Sequence, residues 1–386
     1  MPTTKLKNTL YRLALPLRAP RLERHPICTA QGSHLYTYDA YIRLLRKHHV
    51  LGSAALLREG DQSIMLLCSS QQPNHPVTAH SLFRVASITK MATSLAALRA
   101  VEQGKLDLES PILSYFPSLS EVSDLKGITL QHLLSHTSGL QDPINLESAM
   151  TQGIPFPDLV AGCRKSLPGA EFHYSNLGYG LIGCLLEAVY EQPVSLIFQR
   201  LVFQPLEMRA TLDASTLNLQ DVVPLTRVLP YHPGQDLQIT ELGKKPLQKP
   251  DPLRHYGHTA GAMYLDLSSL EKLVLCLMQE GHPLLSTNLG QRMTQKQAAY
   301  GKISPTLSYG WGILRIVDAS LSSSVILGHQ GFAYGCADGA FWEEKTGRMV
   351  LFLNGGASEA RKGRLGVCNY DLLRWALRKE MPQWSR

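Results

Sequence analysis

The stretch Phe83 to Leu106, FRVASITKMATSLAALRAVEQGKL, joins a short strand-like run, LFRVA, to a helix-forming one. The spacing predicts a helix that opens at Ser87 and ends at Gly104, a glycine suited to a left-handed C-cap. Residues three apart share a helix face, so Lys90 can reach the Ser87 hydroxyl. A helix N-terminus also offers free NH groups. Serine is a weak nucleophile until a neighbour takes its proton, and a lysine whose pKa burial has lowered can do so. Ser87 and Lys90 are therefore candidates for a nucleophile and its activating partner. The alternative is an N-capping serine with a solvated lysine. Ser-x-x-Lys occurs three times, and context separates the copies. Ser123 with Lys126 lies in a loop, SEVSDLKG. Ser269 with Lys272 opens an amphipathic helix, which accounts for both residues.

Outward from this stretch, YDAYIRLLRKHH has helical spacing, and GSAALLRE and SIMLLCS read as a β-hairpin turning at Gly60 and Asp61. Downstream, ITLQHLLSHTSGL gives a short helix with Thr129 as N-cap, and a helix begins near Asn176. Residues 205 to 252 are irregular and proline-studded, and LSSLEKLVLCLMQ is again helical. SSSVILGH, CADGAFWEE and RMVLFLN read as successive strands before a closing helix, NYDLLRWALRK. Strands at both ends with helices between them predict an α/β (α+β) protein with one antiparallel sheet assembled from both chain ends and flanked by helices. The expected division is a basic extension over residues 1–34 and a catalytic domain over 35–386, with a mainly helical subdomain inserted at about 91–290.

Two further motifs carry chemistry. Tyr174-Ser175-Asn176 is the only Tyr-x-Asn in the chain. A tyrosine beside a lysine cation can have its pKa lowered enough to serve as base for the serine and then as acid for the leaving group. Asn176 would orient the lysine or hold a substrate carbonyl. Gly328 to Phe332, GHQGF, follows the strand VIL; its glycine lets substrate lie along the strand, and the Phe332 amide can meet an oxyanion together with the Ser87 amide. His255 with Gly257 repeats His-x-Gly in a loop, and Lys345-Thr346-Gly347 fits a hairpin turn. Gly178, Gly180 and Gly183 spell Gly-x-Gly-x-x-Gly, but a polar segment precedes them, so close helix packing is expected rather than dinucleotide binding. His132 and His136 have metal-ligand spacing without a glutamate or third ligand, and loop anchoring is expected. No Gly-x-Ser-x-Gly elbow occurs.

SITK, YSN and HQG, in this order and with these gaps, resemble the penicillin-recognising serine hydrolases: class C β-lactamases, D-alanyl-D-alanine peptidases, and related esterases and D-amino-acid peptidases. LLSHTSGL, TAGAMYLDLSSL and YGWGI are similar as well, and the resemblance spans roughly Leu51 to Asn354. It implies a β-lactamase-like fold and an acyl-enzyme on Ser87. Lys90 and Tyr174 would be the other catalytic residues, and Asn176, His329, Gly331 and Phe332 would bind substrate. No metal or organic cofactor is implied. The departure is His329-Gln330, where β-lactamases and carboxypeptidases of the family usually carry Lys with Thr or Ser. An ordinary histidine, with a pKa of about 6.5, is mostly neutral at pH 7 and supplies no fixed cation for a carboxylate. The resemblance thus implies an esterase or amidase before a β-lactamase, a carboxypeptidase or an acyltransferase. A catalytically silent binding protein of the same fold is the rival of another class.

Composition fits this reading. The 386 residues are 44% hydrophobic and 18% charged, an ordinary globular profile. The net charge of +7 is uneven: residues 1–58 hold ten Lys or Arg against two acids, leaving about −1 for the rest. Nucleic acid is therefore excluded as the expected partner, and a small ester, amide or short peptide is expected instead. The basic leader reads as a solvated extension, with weak contact to an anionic surface as its alternative role. No run reaches the roughly 20 apolar residues of a membrane span. LYRLALPL lacks a clear cleavage site. Seven scattered cysteines without a Cys-x-x-Cys pair fit a reducing compartment, so a cytoplasmic location is expected.

Overall fold

The computed structural model describes residues 4–22, 26–32, 38–70, 76–233, 236–301 and 304–378. The boundary expected between residues 34 and 35 lies outside them. The chain begins with helix α1 (Thr4–Arg18), strand β1 (Ile27–Gly32) and helix α2 (Tyr38–Lys47), followed by the hairpin β2 (Gly52–Glu59) and β3 (Gln62–Ser69). Helices α3 (Thr89–Glu102), α4 (Leu130–Leu134), α5 (Asn176–Tyr190) and α6 (Leu267–Met278) lie in the middle of the chain. Strands β4 (Ala298–Ala299), β5 (Leu307–Tyr309), β6 (Leu314–Ile316), β7 (Ile326–Ala333), β8 (Cys336–Glu343) and β9 (Met349–Gly355) precede the closing helix α7 (Val367–Arg378).

These nine strands form one antiparallel sheet in the order β1-β3-β2-β9-β8-β7-β6-β5-β4. The two ends of the chain meet where β2 pairs with β9, Leu351 opposite Leu56. Successive strand residues point to opposite faces, and both faces are covered. Ala54, Leu56, Leu351 and Leu353 join the core shared with α3 and α5, while Ala55, Leu57, Val350 and Phe352 face Tyr41 and Leu44 of α2 and Leu373 and Trp375 of α7. That two-sided burial explains why the central strands are apolar without clean alternation.

The leader is not simply solvated. Tyr11 and Leu15 of α1, with Ala19 just past its end, pack against Val228, Ala360 and Val367. Asn8 exchanges two hydrogen bonds with the Arg361 backbone, at 2.9 and 3.1 Å. Composition marked this segment as basic but did not reveal the three-residue apolar stripe that docks it. Strand β1, absent from the sequence-based expectation, pairs with β3 and sets Cys28 opposite Cys68, both free thiols. Among the described residues no single helix is long and apolar enough to cross a membrane.

Candidate active site

Helix α3 is buried nearly all round, as a central core helix should be, and its first turn is pinned from behind. Val85 NH donates to the Met263 carbonyl at 2.9 Å, and Thr89 Oγ1 donates to the Ala86 carbonyl while accepting from Met263 NH. Ala86 is held at φ +43°, a region sparsely used by non-glycine residues and found where surroundings over-determine the backbone. This sharp turn leaves Ser87 half-buried at the mouth of the site.

Lys90 is fully buried, and its Nζ lies 3.1 Å from Ser87 Oγ, 2.8 Å from Asn176 Oδ1 and 2.6 Å from the Ala260 carbonyl. Burial lowers its pKa to about 7, against an opposing pull from the Asp142 carboxylate. Asn176 is fixed in turn: its Nδ2 donates to Asp142 Oδ2 at 2.8 Å. Asp142 also accepts from Ser175 Oγ and from the backbone NH groups of Asn176 and Leu177, so it caps α5 beside the site. Asp142 and the Ala260 carbonyl escaped the sequence reading; the first sits in a loop before proline, and the second is a backbone atom.

Tyr174 faces Ser87, and its hydrogen bond with that serine lowers the phenol pKa less than burial raises it. The expected lowering by a lysine cation therefore does not occur, because desolvation dominates. The Lys90 ammonium position lies 5.1 Å from the Tyr174 ring centre. His136 lies against the same ring, centre to centre 4.3 Å, and its Nδ1 accepts from Ser175 NH. It anchors its loop as expected and also positions Tyr174.

The GHQGF segment forms β7. A Cβ on Gly331 would stand 2.4 Å from the Val85 carbonyl oxygen, so glycine here lets the strand approach the turn that carries Ser87. His329 Nδ1 donates to the Gln330 carbonyl at 2.7 Å, which leaves Nε2 to accept from Tyr309 hydroxyl at 2.9 Å. Burial, reinforced by Lys90, drives its pKa down to about 3. His329 lines the smaller of two clefts at Ser87, beside Tyr174, as a neutral ring whose two nitrogens are both engaged within the protein. Phe332 lines two clefts of about 340 and 280 Å³ that share Ser87, Asp142 and Asn176. The smaller cleft also holds Arg361 and Arg364, and the Arg361 guanidinium sits 4.5 Å from the Phe332 ring centre. No motif marked these arginines, which belong to a short hairpin after β9, Arg361 in its first strand (Arg361–Lys362) and Arg364 at its turn. A larger cleft of about 720 Å³, lined by Leu196, Arg209 and Asp213 among others, shares no residue with either.

The remaining motifs are structural. A Cβ on Gly180 would fall 1.6 Å from the Tyr256 carbonyl oxygen, so those glycines serve close helix packing. His132 Nδ1 accepts from Thr129 NH at the start of α4. Among the described residues no cluster of three or more His, Cys, Asp or Glu could hold a metal ion.

Comparison with known proteins agrees with this geometry. The family model described as Beta-lactamase matches residues 38–365. Esterase EstB of Burkholderia gladioli is 25% identical over 370 residues, covering 85% of this chain and 91% of that protein. The D-alanyl-D-alanine-carboxypeptidase/endopeptidase AmpH of Escherichia coli K12 is 28% identical over 171 residues, 42% of this chain and 44% of AmpH, so the match spans under half of that relative. Among solved structures, the D-amino acid amidase of Ochrobactrum anthropi SV3 superposes with a TM-score of 0.67 at 23% identity, covering 86% of this chain and 94% of that one. It attests the fold.

Proposed function

Because the chain belongs to the beta-lactamase family, we propose that it is a serine hydrolase that cleaves an ester or amide bond through an acyl-enzyme on Ser87. The observation that carries this is Lys90, buried at hydrogen-bond distance from Ser87 with a pKa lowered to about 7. Asn176 Oδ1 and the Ala260 carbonyl can only accept, so they hold two Nζ protons, and in the amine form the lone pair is free to face Ser87. Lys90 takes the serine proton as Oγ attacks the substrate carbonyl. The resulting oxyanion is met by the Ser87 and Phe332 amides. The Tyr174 phenol, protonated at rest, gives its proton to the leaving group, and the Lys90 ammonium restores it. Water then attacks the acyl-enzyme, delivers its proton by the same relay, and frees Ser87. Gly331 keeps the strand close, while Asn176 and Asp142 hold the lysine in place.

The relatives' names favour ester and amide substrates, and neutral His329 accords with a site that does not require a carboxylate. Arg361 and Arg364 favour a second reading, since they bring to the cleft the fixed cations that His329 lacks. A carboxylate-bearing acyl donor, such as a β-lactam or a peptide C-terminus, would suit them. Intact mass after incubation with a fluorophosphonate, and separately with a penicillin, tests both. The expected result is one fluorophosphonate adduct in wild type and none in Ser87→Ala, with turnover of an aryl ester reduced on the order of 10⁴-fold in that variant. Undiminished turnover in Ser87→Ala would refute the assignment. A penicillin adduct on Ser87 would select the carboxylate reading.

A further inference from the structure

Helix α1 has two opposed apolar faces, and among the described residues the body packs against one of them. Tyr11 and Leu15 face the protein. Leu6, Leu10, Leu13 and Leu17, at helical spacing on the other side, are 48, 55, 66 and 85% exposed. A row of four exposed leucines on one short helix is unusual for a surface wholly in water. The row is flanked by exposed cations, with Lys7 and Arg18 on one side and Arg12 on the other, and no acidic residue occurs from position 4 to 22. Beside the helix, Arg12, Arg21, Arg43 and Lys47 line a further cleft of about 560 Å³. An apolar stripe bordered by Lys and Arg is the pattern of a helix lying in the plane of a lipid surface, its leucines among the acyl chains and its cations at the headgroups.

We propose that α1 seats the protein on the surface of an anionic lipid bilayer through Leu6, Leu10, Leu13 and Leu17. Charge decides between occupants. A second copy of the chain would bring two basic helices face to face, whereas anionic headgroups neutralise them. Four leucines also offer far less than the about 800 Å² per partner of a standard protein interface. Asn8 ties this helix to the backbone of Arg361, whose side chain lies in the catalytic cleft. The docked face is therefore held rigidly to the substrate-binding region.

The test is co-sedimentation of the full chain with vesicles of phosphatidylcholine and phosphatidylserine, and with phosphatidylcholine alone. The expected result is binding to the mixed vesicles that weakens with added salt and falls at least about tenfold in the variant Leu10→Glu/Leu13→Glu. Hydrolysis of a soluble aryl ester should be unchanged in that variant. Leu13→Trp, in the otherwise native chain, should shift its emission to shorter wavelength when mixed vesicles are added. Wild-type protein left in the supernatant, equal sedimentation of the double variant, an unmoved Leu13→Trp emission, or a leucine-dependent dimer without vesicle binding would each overturn the proposal. Ser87→Ala should bind vesicles like wild type, so failure of the hydrolase reading would be seen separately.

Discussion

Lys90 has three polar neighbours, and as an ammonium it has three protons to give them. Losing one proton converts the position facing Ser87 from a donor into an acceptor without moving an atom, because the other two partners accept in both states. Burial makes that loss accessible near pH 7. In the proposed mechanism the active form is the neutral amine, so activity is expected to rise with pH. The expected kcat/KM for a neutral aryl ester falls tenfold per unit below about pH 7 and levels off above it. His329 cannot produce this limb, since its pKa lies near 3, and the Tyr174 phenol stays protonated throughout the range. A pH–rate profile flat from about pH 5.5 to 8 would remove Lys90 from the role of base. Lys90→Arg should abolish the limb along with most turnover, because guanidinium does not give up its proton.

At the scale of elements, the turn that aims Ser87 adjoins a charge cluster, whose Arg84 and Glu147 line the same cleft as the serine. Arg84 is 3% exposed; its Nη1 donates to Asp236 at 2.6 Å, and it also pairs with Glu147. Asp236 accepts from Tyr264 hydroxyl at 2.5 Å and from Gln238 NH, so a strand, a loop and a helix start are tied to one guanidinium. Arg84→Met would leave two buried carboxylates without their cation. The expected cost is about 3–5 kcal/mol, read as a lower urea midpoint with an unchanged slope; an unchanged midpoint would mean the cluster is dispensable. None of this was legible in the sequence, where Arg84 is a lone charge in a strand-like run. What was legible had local periodicity: the hairpin, α3, α5, α6, α7 and the last three long strands all follow from spacing and turn residues. The three motifs meet around Ser87 for the same reason, since Ser87 and Tyr174 to Asn176 stand where a helix begins and His329 to Gly331 lie within a long strand. Asp142, the Ala260 carbonyl, Arg361 and β1 act through long-range contacts from a loop and from short elements, and no local pattern announces those.

For the whole molecule, the two-sided sheet and its helical cover bury several histidines in neutral form. His136, His258 and His329 are each held below the usual histidine value, chiefly by desolvation, the latter two down to about 3. The unfolded chain takes up protons on these residues near pH 6.5 while the native protein does not, so the unfolded state binds more protons and stability falls as pH drops through that window. Asp338 works the other way. Burial raises its pKa well above the usual carboxylate value, so native protein holds a proton there that the unfolded chain releases. His48, His49 and His132 are lowered by burial as well, so more groups gain protons on unfolding than lose them, and the net expectation is a loss of stability on acidification. From pH 7 to 5 the expected outcome is a falling urea midpoint. His329→Asn should make that fall shallower by up to about 1.4 kcal/mol per pH unit below 6.5 while keeping an acceptor for Tyr309, because one neutral histidine then drops out of the sum. A midpoint that holds steady or rises on acidification would mean that Asp338 dominates and that the histidines are not neutral in the native protein.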